Sequence, residues 1–229
     1  MAAPIAYEQP SINRAWRAFV DHLPVLAVVL ACLLGISLVA TIVVFLIVFV
    51  IGMLGTSLTG STEQSFLIAQ LVGWLGQIPF YVIYSLVAIL FTAVPAMHYE
   101  SGLKITSGMA FQALGRRWQR FLLAGLLFTV VCVAGFVACV VPGIAVGLVG
   151  PVYVNRIFNT NESITDALSR SFQAVYRSER GMSFVLVQLL TIVVATVLSI
   201  CTCGLGGLVF LPMAMFYIQN SAYYYGVLS

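Results

Sequence analysis

Three long apolar segments constrain this chain more than any other feature of its sequence. Residues 24–54, 66–97 and 182–228 contain no Asp, Glu, Lys or Arg at all. A helix that crosses the hydrocarbon layer of a bilayer needs about 20 apolar residues, and each segment is longer than that. Only 7% of the whole chain is charged, whereas about 25% is usual in soluble domains. The sequence therefore predicts an all-α polytopic membrane protein, because so few charges could not cover a soluble surface.

Turn signals divide the apolar sequence into six transmembrane helices. The last segment is too long for one span, and the glycine-rich stretch from Cys201 to Gly207 marks its break. Pro142 and Gly143 separate two further apolar runs. The second of these runs, 144–158, is short and contains Pro151, so it fits either a short span or half of a re-entrant hairpin; we count it as a span. The six predicted spans are 24–54, 66–97, 121–141, 144–158, 182–201 and 207–228.

The basic residues predict the orientation of the chain in the membrane. If the N-terminus is inside, every Lys and Arg except Arg156 falls in a cytoplasmic segment, and the outer loops contain none. Arg156 is expected at the inner end of the fourth span, from which it can snorkel to the same surface. This asymmetry is the positive-inside pattern. We therefore expect a multi-pass protein of the bacterial cytoplasmic (inner) membrane with both termini in the cytoplasm.

An amphipathic segment precedes each pair of predicted spans. In 163–180, apolar side chains recur at helical spacing on one face and charged side chains occupy the other. Segments 11–23 and 107–120 show the same pattern, and all three place an Arg two residues before an aromatic ring. These features predict a single domain over 1–229 built from three hairpins, each preceded by a cytoplasmic interfacial helix. Three unrelated juxtamembrane helices would give the same pattern, because membrane interfaces favour Trp and Arg.

One stretch carries a family resemblance. Val141 to Ser178 combines a Pro-Gly pair, a short span, a small acidic loop and Ala-Leu-x-x-Ser before an aromatic-rich helix. In this layout the chain resembles a family of bacterial six-span membrane domains. That family includes the membrane domain beside some glycerophosphodiester phosphodiesterases and many free-standing inner-membrane proteins. The resemblance implies the six-span fold, and it implies no phosphodiesterase activity, because the soluble catalytic domain of those enzymes is missing from this sequence.

Two small groups of side chains suggest chemistry. His22 and His98 are equally far along the chain from the first outer loop, so a hairpin would bring them together with Asp21 and Glu100. Such a cluster could hold a transition metal, although histidines and acids are also ordinary at helix ends, and we expect no metal and no cofactor.

The cysteines near the outer surface allow two states. Cys139 could form a disulfide with Cys201 or Cys203 on an oxidising outer side, or all of them could be free thiols. The sequence contains no nucleophile–base arrangement and no phosphate-binding loop, so we do not expect an enzyme.

Two functions fit these features. The first is a non-catalytic accessory subunit that binds or helps assemble a larger membrane complex, with membrane lipids and other membrane-protein subunits as partners and no nucleic acid. Its basic residues would contact anionic lipid headgroups or an acidic partner. They are Arg14, Arg17, Arg116, Arg117, Arg120, Arg170 and Arg177. The alternative is a transporter or channel for a neutral or lipid-like solute. Its polar face would consist of Gln70, Gln77, Tyr81 and Gln188. The predicted hydrophobic cores contain no Asp, Glu or Lys, which argues against ion-coupled transport.

Overall fold

The structure, a computed structural model, describes residues 2–59 and 62–228, and the regular secondary structure of this part of the chain is helix, with no strand. It begins with a short 3-10 helix, Pro4–Tyr7. The α-helices that follow are α1 (Ile12–Asp21), α2 (Leu23–Thr59), α3 (Thr62–Ala88), α4 (Leu90–Ser101), α5 (Ser107–Arg116), α6 (Trp118–Ala138), α7 (Val140–Asn159), α8 (Ile164–Arg177), α9 (Gly181–Cys201) and α10 (Gly207–Tyr224).

Five stretches of the described residues are long and apolar enough to cross a membrane. They also leave large side chains uncovered; Val137, for example, is 82% exposed. A bilayer accommodates such a surface, so the chain is an all-α, multi-pass membrane protein. The five stretches are Leu23–Leu54, Glu63–Ser101, Trp118–Ala138, Val140–Asn159 and Gly181–Cys201. The sixth predicted span corresponds to α10, which is not among the five and carries Gln219, Asn220 and Ser221 in its second half.

Two helix boundaries differ from the sequence prediction. The second predicted span, 66–97, consists of two helices, because α3 ends at Ala88 and α4 begins at Leu90. The expected turn at Pro142 lies inside the first turn of α7, and the break falls instead at Cys139, whose backbone is extended. Proline fits the first turn of a helix, since the N–H that it lacks would have no partner there.

The chain forms two compact units, one of residues up to Ala27 together with Ile89 onward, and the other of Val28–Ala88. In the Val28–Ala88 unit, α2 and α3 approach closely at Gly73. A Cβ atom at this position would lie 2.7 Å from Val48 Cγ2, so the glycine permits the approach.

In the other unit, α10 packs against α1, α4, α7, α9 and the 3-10 helix, while α7 also packs against α6 and α8. The Ala3 N–H donates to the carbonyl of Glu100 at 3.0 Å, and Asn220 Nδ2 donates to the carbonyl of Ala6 at 2.8 Å. Gly102 ends α4 with a φ of 70° beside this segment. These bonds hold the N-terminal residues against the ends of α4 and α10.

The three amphipathic segments form α1, α5 and α8, and each begins with a Ser or Thr whose side chain accepts a backbone N–H three residues later. In α1 only part of the apolar face is buried, namely Ala15, Ala18 and Phe19, while Ile12 and Trp16 are exposed. The three caps are Ser11 for Arg14, Thr106 for Met109 and Ser163 for Asp166.

Candidate functional site

The seven predicted basic residues, which we call the basic collar, divide into two groups by their partners. Three of them have partners within the chain. Arg14 pairs with Glu8, and Arg170 Nη1 lies 2.9 Å from Glu162 Oε1. Arg120 Nη2 donates to the carbonyls of Thr160 and Glu162 at 3.1 and 2.8 Å. These three side chains hold neighbouring segments in place, and their partners already satisfy part of their charge.

The other four collar residues are exposed. Arg117 Nη1 donates to Asn161 Oδ1 at 2.6 Å. Within residues 2–59 and 62–228, the structure gives Arg17, Arg116 and Arg177 no hydrogen bond and no ion pair. Arg116 and Arg117 line an open cavity of about 330 Å³. Arg17, Arg116 and Arg177 are therefore free to meet external anions.

The predicted polar face is divided between the two units. Gln77 and Tyr81 line an open groove of about 390 Å³ in the Val28–Ala88 unit, together with Ser37 and Thr41. Gln70 is exposed and is not one of the residues that line this groove.

Gln188 lies in the other unit, on α9, and is 1% exposed. Neither of its amide atoms has a hydrogen-bond partner among the described residues. An unpaired buried amide is costly, so Gln188 destabilises the packing of α9 unless a water or a ligand satisfies it.

The two histidines meet as the chain spacing predicts, with ring centroids 4.6 Å apart. His22 Nδ1 donates to the Ala18 carbonyl at 2.7 Å, and Nε2 accepts the Ile105 N–H at 3.0 Å. This pair of bonds requires the neutral ring, and burial lowers the pKa of His22 below its usual value. Glu100 bonds elsewhere, and the described residues contain no group of three or more His, Cys, Asp or Glu placed to hold a metal. His22 therefore joins the end of α1 to the segment before α5.

All five cysteines of the chain are free in the structure. Cys139, Cys201 and Cys203, the three that the sequence places near the outer surface, are exposed.

A buried polar network connects α4, α7 and α10. Asn155 Nδ2 donates to Gln219 Oε1 at 3.0 Å and to Tyr223 Oη at 3.1 Å. The Tyr223 hydroxyl donates to Glu100 Oε2 at 2.6 Å. Asn159 Nδ2 donates to Asn155 Oδ1 at 3.2 Å. These bonds hold the C-terminal ends of three helices together.

The network forms one wall of an open cavity of about 270 Å³, which we call the polar cavity. Its polar lining is Tyr7, Glu100, Asn155, Arg156, Asn159, Thr160 and Tyr223. The sequence prediction did not find this site. Its only sequence signal is the i, i+4 spacing of Asn155 with Asn159 and of Gln219 with Tyr223, which puts polar groups on one face of each helix.

Comparison with known proteins gives no relative. The chain matches no family model, no curated protein and no solved structure. The resemblance to bacterial six-span membrane domains therefore stays a prediction, and the function must be argued from the geometry of the chain itself.

Proposed function

We propose that this protein is a non-catalytic, integral-membrane accessory subunit that helps assemble a larger membrane complex and binds anionic lipid headgroups through its basic collar. One observation carries the proposal: Arg17, Arg116 and Arg177 are exposed and have no partner of their own among the described residues. A chain that is only 7% charged keeps these cations unneutralised on its amphipathic helices.

The proposed setting is the cytoplasmic face of a bacterial inner membrane. In this arrangement α10 is the sixth span, the spans form three hairpins, and α1, α5 and α8 lie along the interface with both termini inside. The capped starts of the three helices and the distribution of Lys and Arg support it. The exposed Ile12 and Trp16 of α1 would then contact lipid, beside the free charge of Arg17. The six-span resemblance describes the same layout.

The expected strength follows from the number of free charges. A Lys or Arg near an anionic membrane surface contributes about 1 kcal/mol, so the three free arginines together contribute about 3 kcal/mol, or roughly a hundredfold in affinity. Arg14 should contribute less than Arg17, because Glu8 already neutralises it.

Arg14 and Arg17 lie on the same helix and provide a matched pair of variants. Native mass spectrometry after gentle extraction would count bound phosphatidylglycerol against phosphatidylcholine and identify any stoichiometric protein partner. We expect Arg17→Gln to lower phosphatidylglycerol retention and Arg14→Gln to change it little. Equal effects of the two substitutions, or a protein that extracts without any partner chain, would contradict the proposal.

A specific observation favours transport of a neutral or lipid-like solute as a second candidate function. Gln77 and Tyr81 line the groove in the Val28–Ala88 unit, whereas Gln70 on the same helix does not. A flux assay in proteoliposomes should therefore lose activity with Gln77→Leu and keep it with Gln70→Leu. If neither substitution changes flux, the groove does not conduct a solute.

A further inference from the structure

We infer that the polar cavity binds a small zwitterion in which a primary ammonium is joined to a phosphate, as in the phosphoethanolamine group. This inference concerns a different surface from the basic collar and does not depend on it.

Glu100 provides the first half of the site. Its Oε2 atom accepts the Tyr223 hydroxyl at 2.6 Å, and no Lys, Arg or His of the described residues lies within ion-pair distance of it. A half-buried carboxylate retains acceptor positions that favour a charged N–H donor. The rings of Tyr7 and Tyr223 also line the cavity, 5.9 Å apart and edge to face. Aromatic faces attract cations, so this end of the cavity suits an ammonium group.

Arg156 provides the second half. Its one ion pair, Nη1 to Glu162 Oε1, is long at 3.6 Å, and Arg170 lies closer to the same oxygen at 2.9 Å. The Nε of Arg156 is buried and has no partner in the described part of the chain. A guanidinium has five N–H donors in a planar fork that matches the oxygens of a phosphate. The side chain of Arg156 makes no hydrogen bond among the described residues, so its terminal nitrogens, unlike the buried Nε, are available to an anionic group inside the cavity.

The charges favour a ligand that carries both signs. Among the described residues that line the cavity, Glu100 and Arg156 are the charged ones, one of each sign. A simple anion would face Glu100, and a simple cation would face Arg156. A zwitterion can place its ammonium against Glu100 and its phosphate against Arg156, and it satisfies both without changing the net charge.

The size and position of the cavity fit a lipid headgroup or a similar free solute. Its volume of about 270 Å³ lies just below the roughly 300–1,000 Å³ of pockets for drug-sized ligands. Glu100 and Asn155 lie near the C-terminal ends of Glu63–Ser101 and Val140–Asn159, two of the stretches long and apolar enough to cross a membrane. Whichever way the chain is oriented, these ends lie where headgroups and water meet.

The test compares two zwitterionic lipids, so that binding of anionic lipids by the basic collar does not affect the result. The full-length protein in dodecyl maltoside micelles would be titrated with phosphatidylethanolamine, with phosphatidylcholine and, separately, with free phosphoethanolamine. Retention of the lipids would be measured by native mass spectrometry and binding of the free solute by calorimetry. We expect phosphatidylethanolamine to bind more tightly than phosphatidylcholine by roughly tenfold to a hundredfold, because only its ammonium donates charge-assisted hydrogen bonds to Glu100. Binding of free phosphoethanolamine as well would identify a soluble ligand source, and binding of the lipid alone would identify the headgroup.

Glu100→Gln tests the site directly, since glutamine keeps the shape and can still accept the Tyr223 hydroxyl. The preference for phosphatidylethanolamine should vanish in Glu100→Gln and persist in Glu179→Gln, which removes an exposed carboxylate outside the cavity. Equal loss in both variants would overturn the assignment. The wild-type comparison needs no variant, so equal binding of the two lipids, without binding of free phosphoethanolamine, overturns it even if Glu100→Gln does not fold.

Discussion

The ring of His22 offers the sharpest test of what holds together the unit formed by residues up to Ala27 and from Ile89 onward. His22 is 1% exposed, and both of its nitrogens are used. Its Nε2 accepts the backbone N–H of Ile105, 83 positions along the chain. His22→Phe keeps a ring of similar size against Phe216, whose centroid is 5.3 Å away, but removes both hydrogen bonds.

The expected loss of stability follows from the two backbone groups, the Ile105 N–H and the Ala18 carbonyl, that lose the ring as a hydrogen-bond partner. A buried backbone N–H without a partner costs about 1–3 kcal/mol, and an ordinary hydrogen bond contributes about 0.5–1.5 kcal/mol. The Ala18 carbonyl keeps the backbone N–H of His22 at 3.2 Å, so losing its ring partner is the smaller effect. We expect His22→Phe to lower the free energy of unfolding by roughly 2–4 kcal/mol. Reversible unfolding in mixed micelles, followed by circular dichroism, would measure it.

His98→Phe is the matched control. His98 is more exposed, and its ring bonds to the Leu103 carbonyl at 2.9 Å without any bond to a distant segment. Its loss should cost about 1 kcal/mol or less. Similar destabilisation by the two substitutions would refute the reasoning, because it would mean that ring volume, and not the bond to Ile105, determines the stability.

The same ring predicts how stability depends on pH. Burial lowers the pKa of His22, as do the nearby His98 and Lys104, while the Ala18 carbonyl and Asp21 act in the opposite direction. Because the folded pKa lies below the unfolded value of 6.5, this contribution to stability is complete above about pH 6.5. It is lost as the pH falls from that value towards the folded pKa, with a slope of at most about 1.4 kcal/mol per pH unit. The slope should flatten in His22→Phe; a slope that persists unchanged there belongs to other groups.

Three further substitutions test packing in the same unfolding assay. Gln188→Leu should stabilise the protein by about 1–3 kcal/mol, because it removes a buried amide without a partner; destabilisation would mean that a bound water or ligand satisfies Gln188. Gly102→Ala should destabilise by about 1–2 kcal/mol, since the backbone has a φ of 70° and the new Cβ would lie 2.9 Å from that of Ala3. Arg120→Gln should cost about 2–4 kcal/mol through its two carbonyl bonds, whereas Arg116→Gln should cost almost nothing.

Features that depend on local chain chemistry could be predicted from the sequence. Apolar length predicted the five stretches that are long and apolar enough to cross a membrane, and helical periodicity placed the amphipathic helices close to their observed limits. The meeting of His22 and His98 followed from the spacing along one hairpin. The predicted position of the break before α7 was wrong for a local reason. A Pro-Gly pair can begin a helix as well as interrupt one, and the sequence does not distinguish the two.

The polar cavity could not be predicted, because it depends on pairs far apart in the sequence. Tyr223 meets Glu100 across 123 positions, and no periodicity encodes that contact. Contacts between distant residues also bear on the low mean hydropathy of α10. Gln219 and Asn220 are buried. They bond to Asn155 and Ala6, respectively, so these polar side chains face other parts of the protein. A hydropathy average counts their polarity in full although it is satisfied within the protein, which explains why α10 falls outside the apolar stretches.

Single-cysteine labelling tests whether α10 crosses. In a background without other cysteines, Glu179→Cys lies before α9, Cys203 lies between α9 and α10, and Tyr224→Cys lies at the end of α10; all three positions are exposed. If both helices cross and the termini are cytoplasmic, an impermeant maleimide should label Cys203 in intact bacterial cells and the other two only after lysis. Labelling of position 224 together with Cys203 would show that α10 stays on the outer side. The reverse pattern, with 179 and 224 labelled and Cys203 protected, would keep both crossings and invert the orientation, and the basic collar would then face away from the cytoplasm.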